Sequence, residues 1–178
     1  MAVDIFLHLS NGVKGESQDS VHGVSGHGTG IDILAWNWNL SQSGTTHMGG
    51  GGGGGKVNIG DIAITKYVDA SSNDLIKKCC DGTHFENAKL IVRKAGGETG
   101  PVEYFQINME MVMVTSYSTG GSSDGLDRIQ ESLTLNFRKV EVVYKGQDDA
   151  GVEAPAAKAS WNAAENIPWD GGPADAMF

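Results

Sequence analysis

Hydrophobic residues recur at every second position in several long segments of this chain, and this spacing restricts the fold more than any other feature. Successive side chains of a β-strand point to opposite faces, so alternating hydrophobic and polar residues predict half-buried strands. A chain in which such segments dominate belongs to the mainly β class. The predicted strands cover residues 3–9, 31–40, 57–64, 88–93, 102–115 and 133–144.

The strand predicted at 31–40 has two contrasting faces. Trp36 and Trp38 lie on one face, where large aromatic side chains supply much of the buried area of a β-core. Ala35, Asn37 and Asn39 lie on the other face, which is small and polar. We therefore expect this second face to contact water or a water-filled space.

The longer segments contain interruptions that predict curvature. The alternation changes phase at Gly60 and again at Arg138–Lys139, and both positions predict a bulge or bend. Long strands with bulges are typical of a curved sheet that closes towards a barrel. In 102–115 the alternation places one hydrophobic series on a single face, which we predict to be a core face: Phe105, Ile107, Met109, Met111 and Met113.

One short segment, 72–80, has helical rather than strand spacing. Ser71, Ser72 or Asn73 can cap its start, and Asp81–Gly82 can end it. The adjacent Cys79 and Cys80 are interpreted as small helical residues, one more buried than the other, because neighbouring cysteines form strained disulfides. The predicted fold is a small β-barrel of two sheets with one short flanking α-helix.

The strand pattern ends near residue 145, which divides the chain into two predicted regions. Residues 1–145 form the barrel domain. Residues 146–178 are rich in Asp, Ala, Gly and Pro. We expect this second region to be a tail, partly disordered or draped on the barrel.

Charge and hydropathy exclude several classes of partner. The formal net charge is −9, which argues against nucleic acids and anionic membrane surfaces. No apolar stretch approaches the roughly 20 residues of a spanning helix. Asp4 interrupts the apolar N-terminal run, and no basic region precedes it, so we expect cytoplasmic folding without a signal peptide.

The sequence contains no convincing catalytic, cofactor or metal motif. Residues 50–56 match most of a phosphate-binding loop, but Val57 replaces the magnesium-binding hydroxyl and strand-like residues follow. His22 and His27 lie in a glycine-rich loop, where solvated side chains are favoured over a weak metal site. We therefore predict that the chain is not an enzyme.

Several segments, in order along the first four-fifths of the chain, resemble the Hcp family, the hemolysin-coregulated tube proteins of the type VI secretion system. Each segment is weak alone, but the ordered set is specific. The matching segments are 1–6, 13–17, 32–38, 41–44, 47–51, 65–69, 93–97, 118–121 and 133–137.

The resemblance implies a homohexameric ring of barrels and a hollow tube of stacked rings. A contracting sheath drives such a tube, capped by a VgrG-type spike, into a target cell. Effector cargo travels in the lumen, and the tube is secreted without a signal peptide. The departures from the family pattern are the glycine run 49–55, a glycine-rich insert at 22–30 and the extended tail.

Two sets of residues become candidate assembly sites under this resemblance. Residues 41–56, here called the arm, are expected to project from the barrel and contact a neighbouring subunit or ring. The lumen is expected to be lined by Ala35, Asn37 and Asn39. The predicted arm contacts are Ser41, Gln42, Ser43, Gly44, His47, Met48 and Lys56.

Two other functions stay open at the level of sequence. The first is a monomeric β-barrel that binds a ligand through its glycine-rich loops. The second is a metal- or nucleotide-dependent enzyme built around residues 49–56.

Overall fold

The computed structural model describes residues 3–23, 30–44, 55–95, 100–123, 128–146 and 155–170. These ranges contain eleven β-strands and one α-helix, which confirms the mainly β class with a single flanking helix. The elements are β1 (Val3–Leu9), β2 (Ile31–Asp32), β3 (Ala35–Asn37), β4 (Leu40–Ser41), β5 (Asn58–Ile59), β6 (Ile62–Tyr67), α1 (Ser72–Asp81), β7 (Phe85–Lys94), β8 (Val102–Gly120), β9 (Gln130–Tyr144), β10 (Ala157–Asn162) and β11 (Ile167–Pro168).

Nine strands form the main sheet, and β4 and β5 form a small second sheet. In the main sheet β1, β7, β8 and β9 pair as antiparallel neighbours. The edge of β9 that does not face β8 has two partners. Its first part pairs with β6 and its last part pairs with β10. Each strand thus has a hydrogen-bonded partner on at least one side, as a curved sheet requires.

The segment 31–37 closes the barrel. Strand β2 pairs with β1 at one edge of the sheet, and β3 pairs with β6 at the other. Between them, Ile33 N donates to Ile5 O and Leu34 N donates to Thr65 O, each at 2.9 Å. The continuous strand predicted over 31–40 is therefore wrong: the chain changes partner from β1 to β6 and then to β5, and it breaks at each change.

The predicted helix is confirmed, with one further residue at its end. Leu75 points into the core and is fully buried, and Gly82 ends the helix with a φ of 67°. Cys79 packs partly buried against the core while Cys80 is exposed, as the sequence predicted. Helix α1 has ten residues, and the described ranges hold no helix long and apolar enough to cross a bilayer.

The single hydrophobic face predicted for β8 is wrong beyond Met109. Met109 is fully buried, but Met111 has a φ of 53° and is 46% exposed, and Val112 takes the next core position. The bulge predicted at Arg138–Lys139 is also wrong, because β9 keeps its register with β8 there. The alternation of buried and exposed residues in β9 still changes phase near Arg138. On the partner strand β8, Met111 has a positive φ and the alternation changes phase there too. The register shift in this pair lies further along, between Val114 and Ser116.

Gly60 separates β5 from β6, which confirms the predicted bend.

Part of the predicted tail forms strands: β10 pairs with the end of β9, and β11 pairs with β10. Trp161 on β10 packs against the core, and Asn162 is buried. The sequence pattern missed β10 because its first four residues are alanine, lysine and serine, and it missed β11 because that strand has only two residues. The division at residue 145 stays a prediction.

Candidate assembly surface

A continuous face of small side chains covers four neighbouring strands on the outside of the barrel. Residues that pair directly across an antiparallel sheet point to the same side. Two rows of such pairs cross β3, β6, β9 and β8: Ala35–Thr65–Ser132–Ser118 and Asn37–Ala63–Thr134–Ser116. We call these eight residues the small polar face.

The small polar face is accessible and carries no charge. Ala35, Asn37 and Ser132 are exposed, and Ala63 and Thr65 are half-buried. The alternate positions on the same strands, such as Ile64 and Leu133, point into the core and are almost fully buried. The face is therefore an uncharged, accessible surface over a well-packed hydrophobic layer.

Asp61 lies at the border of this face, and its charge is balanced by donors. Its Oδ2 accepts a hydrogen bond from Thr115 Oγ1 at 2.5 Å, and its Oδ1 accepts one from Asn136 Nδ2 at 2.7 Å. Thr134 Oγ1 lies 2.7 Å from Thr115 Oγ1 and extends the network. These bonds join Asp61, the residue before β6, to β8 and β9 at the surface.

The three residues predicted to face a lumen are all exposed. Ala35 and Asn37 belong to the small polar face, whereas Asn39 lies beyond β3 and accepts a hydrogen bond from Gly60 N at 3.0 Å. Trp36 and Trp38 turn inward, where they stack on Phe105 and pack edge-on against Phe137 respectively. This separates the two faces of 35–39 as the sequence predicted.

The arm is described at its two ends only. Ser41 pairs with Asn58, and Gly55 N donates to Ser43 O at 3.4 Å, so the two ends run side by side. The predicted contact residues that the structure describes are all exposed: Ser41, Gln42, Ser43, Gly44 and Lys56. The other two, His47 and Met48, lie outside the described residues.

Lys56 leads into strand β5 rather than into a helix. A phosphate-binding loop needs a helix at this position, because the helix N-terminus holds the phosphates. The geometry of the described part of the segment thus does not favour nucleotide binding. The described ranges also contain no group of three or more His, Cys, Asp or Glu side chains that could hold a metal ion.

The prediction of a solvated His22 is wrong, and His27 lies outside the described residues. His22 is 7% exposed, stacks on Phe6, and its Nδ1 lies 3.2 Å from Nε2 of the buried His8. Its Nε2 lies 2.9 Å from Glu103 Oε1. Burial, followed by electrostatic interactions with His22 and Lys89, lowers the pKa of His8 to about 4.

The loop that carries His22 is fastened to the sheet by a second anchor. Arg93 binds both Asp4 and Asp19, and the Asp19 side chain accepts hydrogen bonds from the backbone N–H groups of Val21 and His22. The hydrogen bond from Arg93 holds the pKa of Asp19 well below its usual range. The hydrogen bond from His22 lowers the pKa of Glu103. The loop is thus a packed part of the outer surface of β1, β7 and β8.

The lowered pKa of His8 predicts that the fold loses stability in acid. His8 binds a proton in the unfolded chain below its ordinary pKa of 6.5 but stays neutral in the fold until about pH 4. The free energy of unfolding should therefore fall as the pH is lowered from 6.5 to 4, by up to about 3 kcal/mol from His8 alone. Urea unfolding at several pH values measures this slope. His8→Gln should flatten the slope, and an unchanged slope in that variant would contradict the assignment.

A buried ionic network joins helix α1 to the barrel, and the sequence analysis missed it. Lys66 Nζ is fully buried and lies 2.7 Å from Glu131 Oε1 and 2.8 Å from Asp69 Oδ1. Tyr117 donates to the other Glu131 oxygen, and burial with this hydrogen bond raises the pKa of Tyr117 to about 12. The sequence did contain a sign of this burial, because Lys66 follows Ile62 and Ile64 at the same two-residue spacing and so lies on the core face of β6.

Comparison with known proteins gives the same fold and a clear relationship. Residues 6–144 match the family model described as "Type VI secretion system effector, Hcp". The chain is 48% identical over 168 residues to protein hcp1 of Pseudomonas aeruginosa, covering 94% of this chain and 99% of that protein.

Solved structures support the relationship independently. A type six secretion system protein superposes with a TM-score of 0.83 at 25% identity, covering 94% of this chain and all of that one. Hcp1 from Salmonella typhimurium superposes with a TM-score of 0.73 at 31% identity, covering 95% of this chain and all of that one.

Proposed function

This chain belongs to the Hcp family of the type VI secretion system, and we propose that six copies close into a ring whose rings stack into the secreted tube. The observation that carries the proposal is the small polar face. A conduit that holds varied cargo must stay hydrated and must not bind any one cargo tightly. A four-strand wall of Ala, Ser, Thr and Asn side chains suits that requirement.

In this arrangement the small polar face lines the lumen, and Ala35 and Asn37 contact cargo or water there. Asn39 lies at the margin of the face. Each cargo contact is weak, and the ring multiplies it sixfold. The protein works as a structural conduit and carrier rather than as an enzyme, and its partners are the effector cargo, a VgrG-type spike and the surrounding sheath. It leaves the cell through the machine itself, without a signal peptide.

Native mass spectrometry and electron microscopy of the purified chain test the ring directly. We expect a species with the mass of six 18.7 kDa chains and annular particles with a central hole. A preparation that stays single-copy at high micromolar concentration would contradict the proposal. It would favour the monomeric ligand-binding barrel instead.

A labelling comparison tests which face lines the hole. In a chain without Cys79 and Cys80, cysteine is introduced either at Asn37 or at Asn73, which is exposed on α1. In assembled tubes, a polymer-linked maleimide too large for the hole should react with the Asn73 site and not with the Asn37 site. Both sites should react in dissociated chains, and equal reaction in tubes would place Asn37 elsewhere.

The arm is proposed to carry the contact between stacked rings. Ser43→Arg places a bulky charge at an exposed arm position and should shorten or abolish tubes while leaving single rings intact. Asn73→Arg adds the same charge on α1 and serves as the matched control. Sedimentation and particle length in micrographs measure the effect. Tubes of unchanged length in the Ser43 variant would show that the arm is not a stacking contact.

A further inference from the structure

Two buried histidines from separate segments of the chain contact each other beneath residues 10–23, here called the latch loop. His8 lies on β1, and His22 lies near the end of the loop. His8 Nε2 lies 3.2 Å from His22 Nδ1, and His22 Nε2 lies 2.9 Å from Glu103 Oε1 on β8. The His22 ring thus bridges β1 and β8, and the proposed conduit gives this line of ionisable groups no task.

The contact between the two rings has room for one hydrogen atom. At 3.2 Å one nitrogen must donate and the other must accept, because two N–H groups would point at each other. His22 Nε2 keeps its hydrogen, since it faces a carboxylate oxygen. With both rings neutral, His8 donates to His22, and with one added proton His22 donates to His8. A second added proton leaves no acceptor at the contact, so the closed loop excludes a pair of charged histidines.

The groups around His8 also oppose a charge on its ring. Lys89 lies directly opposite His8 on β7. Glu103 is the carboxylate that faces the pair, and it is engaged with His22. Asp32 on β2 is exposed to water. Burial, followed by His22 and Lys89, therefore lowers the pKa of His8 to about 4 even though Glu103 acts in the other direction.

The latch loop has a second anchor that resists acid. Arg93 on β7 binds Asp19 of the loop and Asp4 of β1. Asp19 Oδ1 also accepts hydrogen bonds from the N–H groups of Val21 and His22, each at 2.9 Å. The hydrogen bond from Arg93 holds the pKa of Asp19 well below its usual range, and a guanidinium group stays charged throughout. The two anchors of one loop therefore respond to different ranges of pH.

We propose that the latch loop is a proton-operated latch: a proton on both His8 and His22 releases the His22 ring from β1 and β8, while the Arg93–Asp19 contact keeps the loop tethered and the barrel folded. Release separates His22 from the ring of Phe6, on which it stacks at a centroid distance of 4.6 Å. Acid thereby uncovers part of the outer face of β1 that is closed at neutral pH. The device belongs to the single chain and does not depend on the proposed ring.

A spin label beside His22 tests the release. In a full-length chain without Cys79 and Cys80, Val21→Cys carries a nitroxide, because Val21 is already about half exposed. The pKa of His8 is 6.5 when the loop is open and about 4 when it is closed, so the ratio of mobile to immobile label should rise by about 100-fold between pH 7 and pH 4. Far-UV circular dichroism should stay constant, and a label at Asn73→Cys on α1 should not change.

Two substitutions should move this response in opposite directions. His8→Gln keeps a polar partner for His22 but takes up no proton, so the label should stay immobile down to pH 4. Glu103→Gln removes the carboxylate that favours charged histidines in the closed loop, so release should begin at higher pH. His84→Gln is the matched control, because His84 is exposed between α1 and β7 and should leave the response unchanged.

Asp19→Asn tests the tether separately. Asparagine keeps an oxygen for the N–H groups of Val21 and His22 but removes the charge that binds Arg93. At pH 4 its label should move faster than in the parent chain, and equal motion would show that Arg93 is no tether. The latch itself is wrong if the label at 21 stays immobile at pH 4 in the folded parent chain. It is equally wrong if mobility appears only together with loss of the circular dichroism signal, or if His8→Gln responds like the parent.

Discussion

Replacing Lys66 by methionine is expected to lower the free energy of unfolding by about 3–5 kcal/mol, the largest effect predicted for a single side chain here. Lys66 and Glu131 face each other across β6 and β9, and both side chains are fully buried. Removing the ammonium group leaves the Glu131 carboxylate without its cation in a low-dielectric environment. Chemical denaturation at neutral pH measures the loss.

A double variant separates the loss of a partner from the loss of packing. Lys66→Met combined with Glu131→Gln removes two of the three charges and should recover part of the stability, because only the Asp69 carboxylate, which keeps its hydrogen bonds from Ser71, then lacks its cation. Arg138→Met is the surface control, since Arg138 and Glu165 are about half exposed at 3.3 Å and should contribute no more than about 1 kcal/mol. Equal losses in Lys66→Met and Arg138→Met would refute the role of burial.

The network around Lys66 also contacts the start of α1. Lys66 Nζ donates to Tyr67 O and Asp69 Oδ1 at 2.8 Å and approaches Ser72 Oγ at 3.4 Å, at the first residue of the helix. We therefore expect the amide protons of α1 to exchange faster with solvent in Lys66→Met. Unchanged exchange in α1 would show that core contacts such as Leu75 position the helix without the network.

Replacing Gly15 by alanine is expected to destabilise the fold by about 1–3 kcal/mol or more. A Cβ atom at Gly15 would lie 2.2 Å from Gly30 O and 2.7 Å from Ile31 Cα. Both contacts are backbone atoms that cannot move independently, because Ile31 pairs with β1. The chain must therefore shift the loop or the β2 edge of the barrel, and thermal or chemical unfolding measures the resulting loss.

Gly121→Ala is the matched control. Among the described residues, a Cβ atom at Gly121 would meet only the Ile129 side chain, at 3.7 Å, which is an ordinary contact. This variant should be neutral or slightly stabilising, because alanine restricts the unfolded chain more than glycine does. If Gly15→Ala and Gly121→Ala have the same stability, the close approach of 15 to 30–31 does not exist in solution.

The sequence alone determined the class of fold, because side-chain alternation is a local property of the chain. Period-two spacing predicted the cores of the long strands, and helical spacing with Gly82 predicted α1 to within one residue. The separation of Trp36 and Trp38 from Ala35 and Asn37 was also predictable, since burial of aromatic rings decides which face of a strand turns inward.

Only the tertiary structure decided which strands become neighbours and what covers the sheet. Gly15, Gly23 and Gly30 belong to the glycine-rich loop, and a Cβ atom on any of them would collide with backbone atoms of another part of that loop or of β2. His22 is buried for the same reason: the loop folds over β1 and brings it to His8 and Glu103. Lys66 and Glu131, 65 residues apart, could be paired only after β6 and β9 were known to be adjacent. Contacts between distant segments depend on the closure of the barrel, and hydrophobic spacing within one segment carries no information about it.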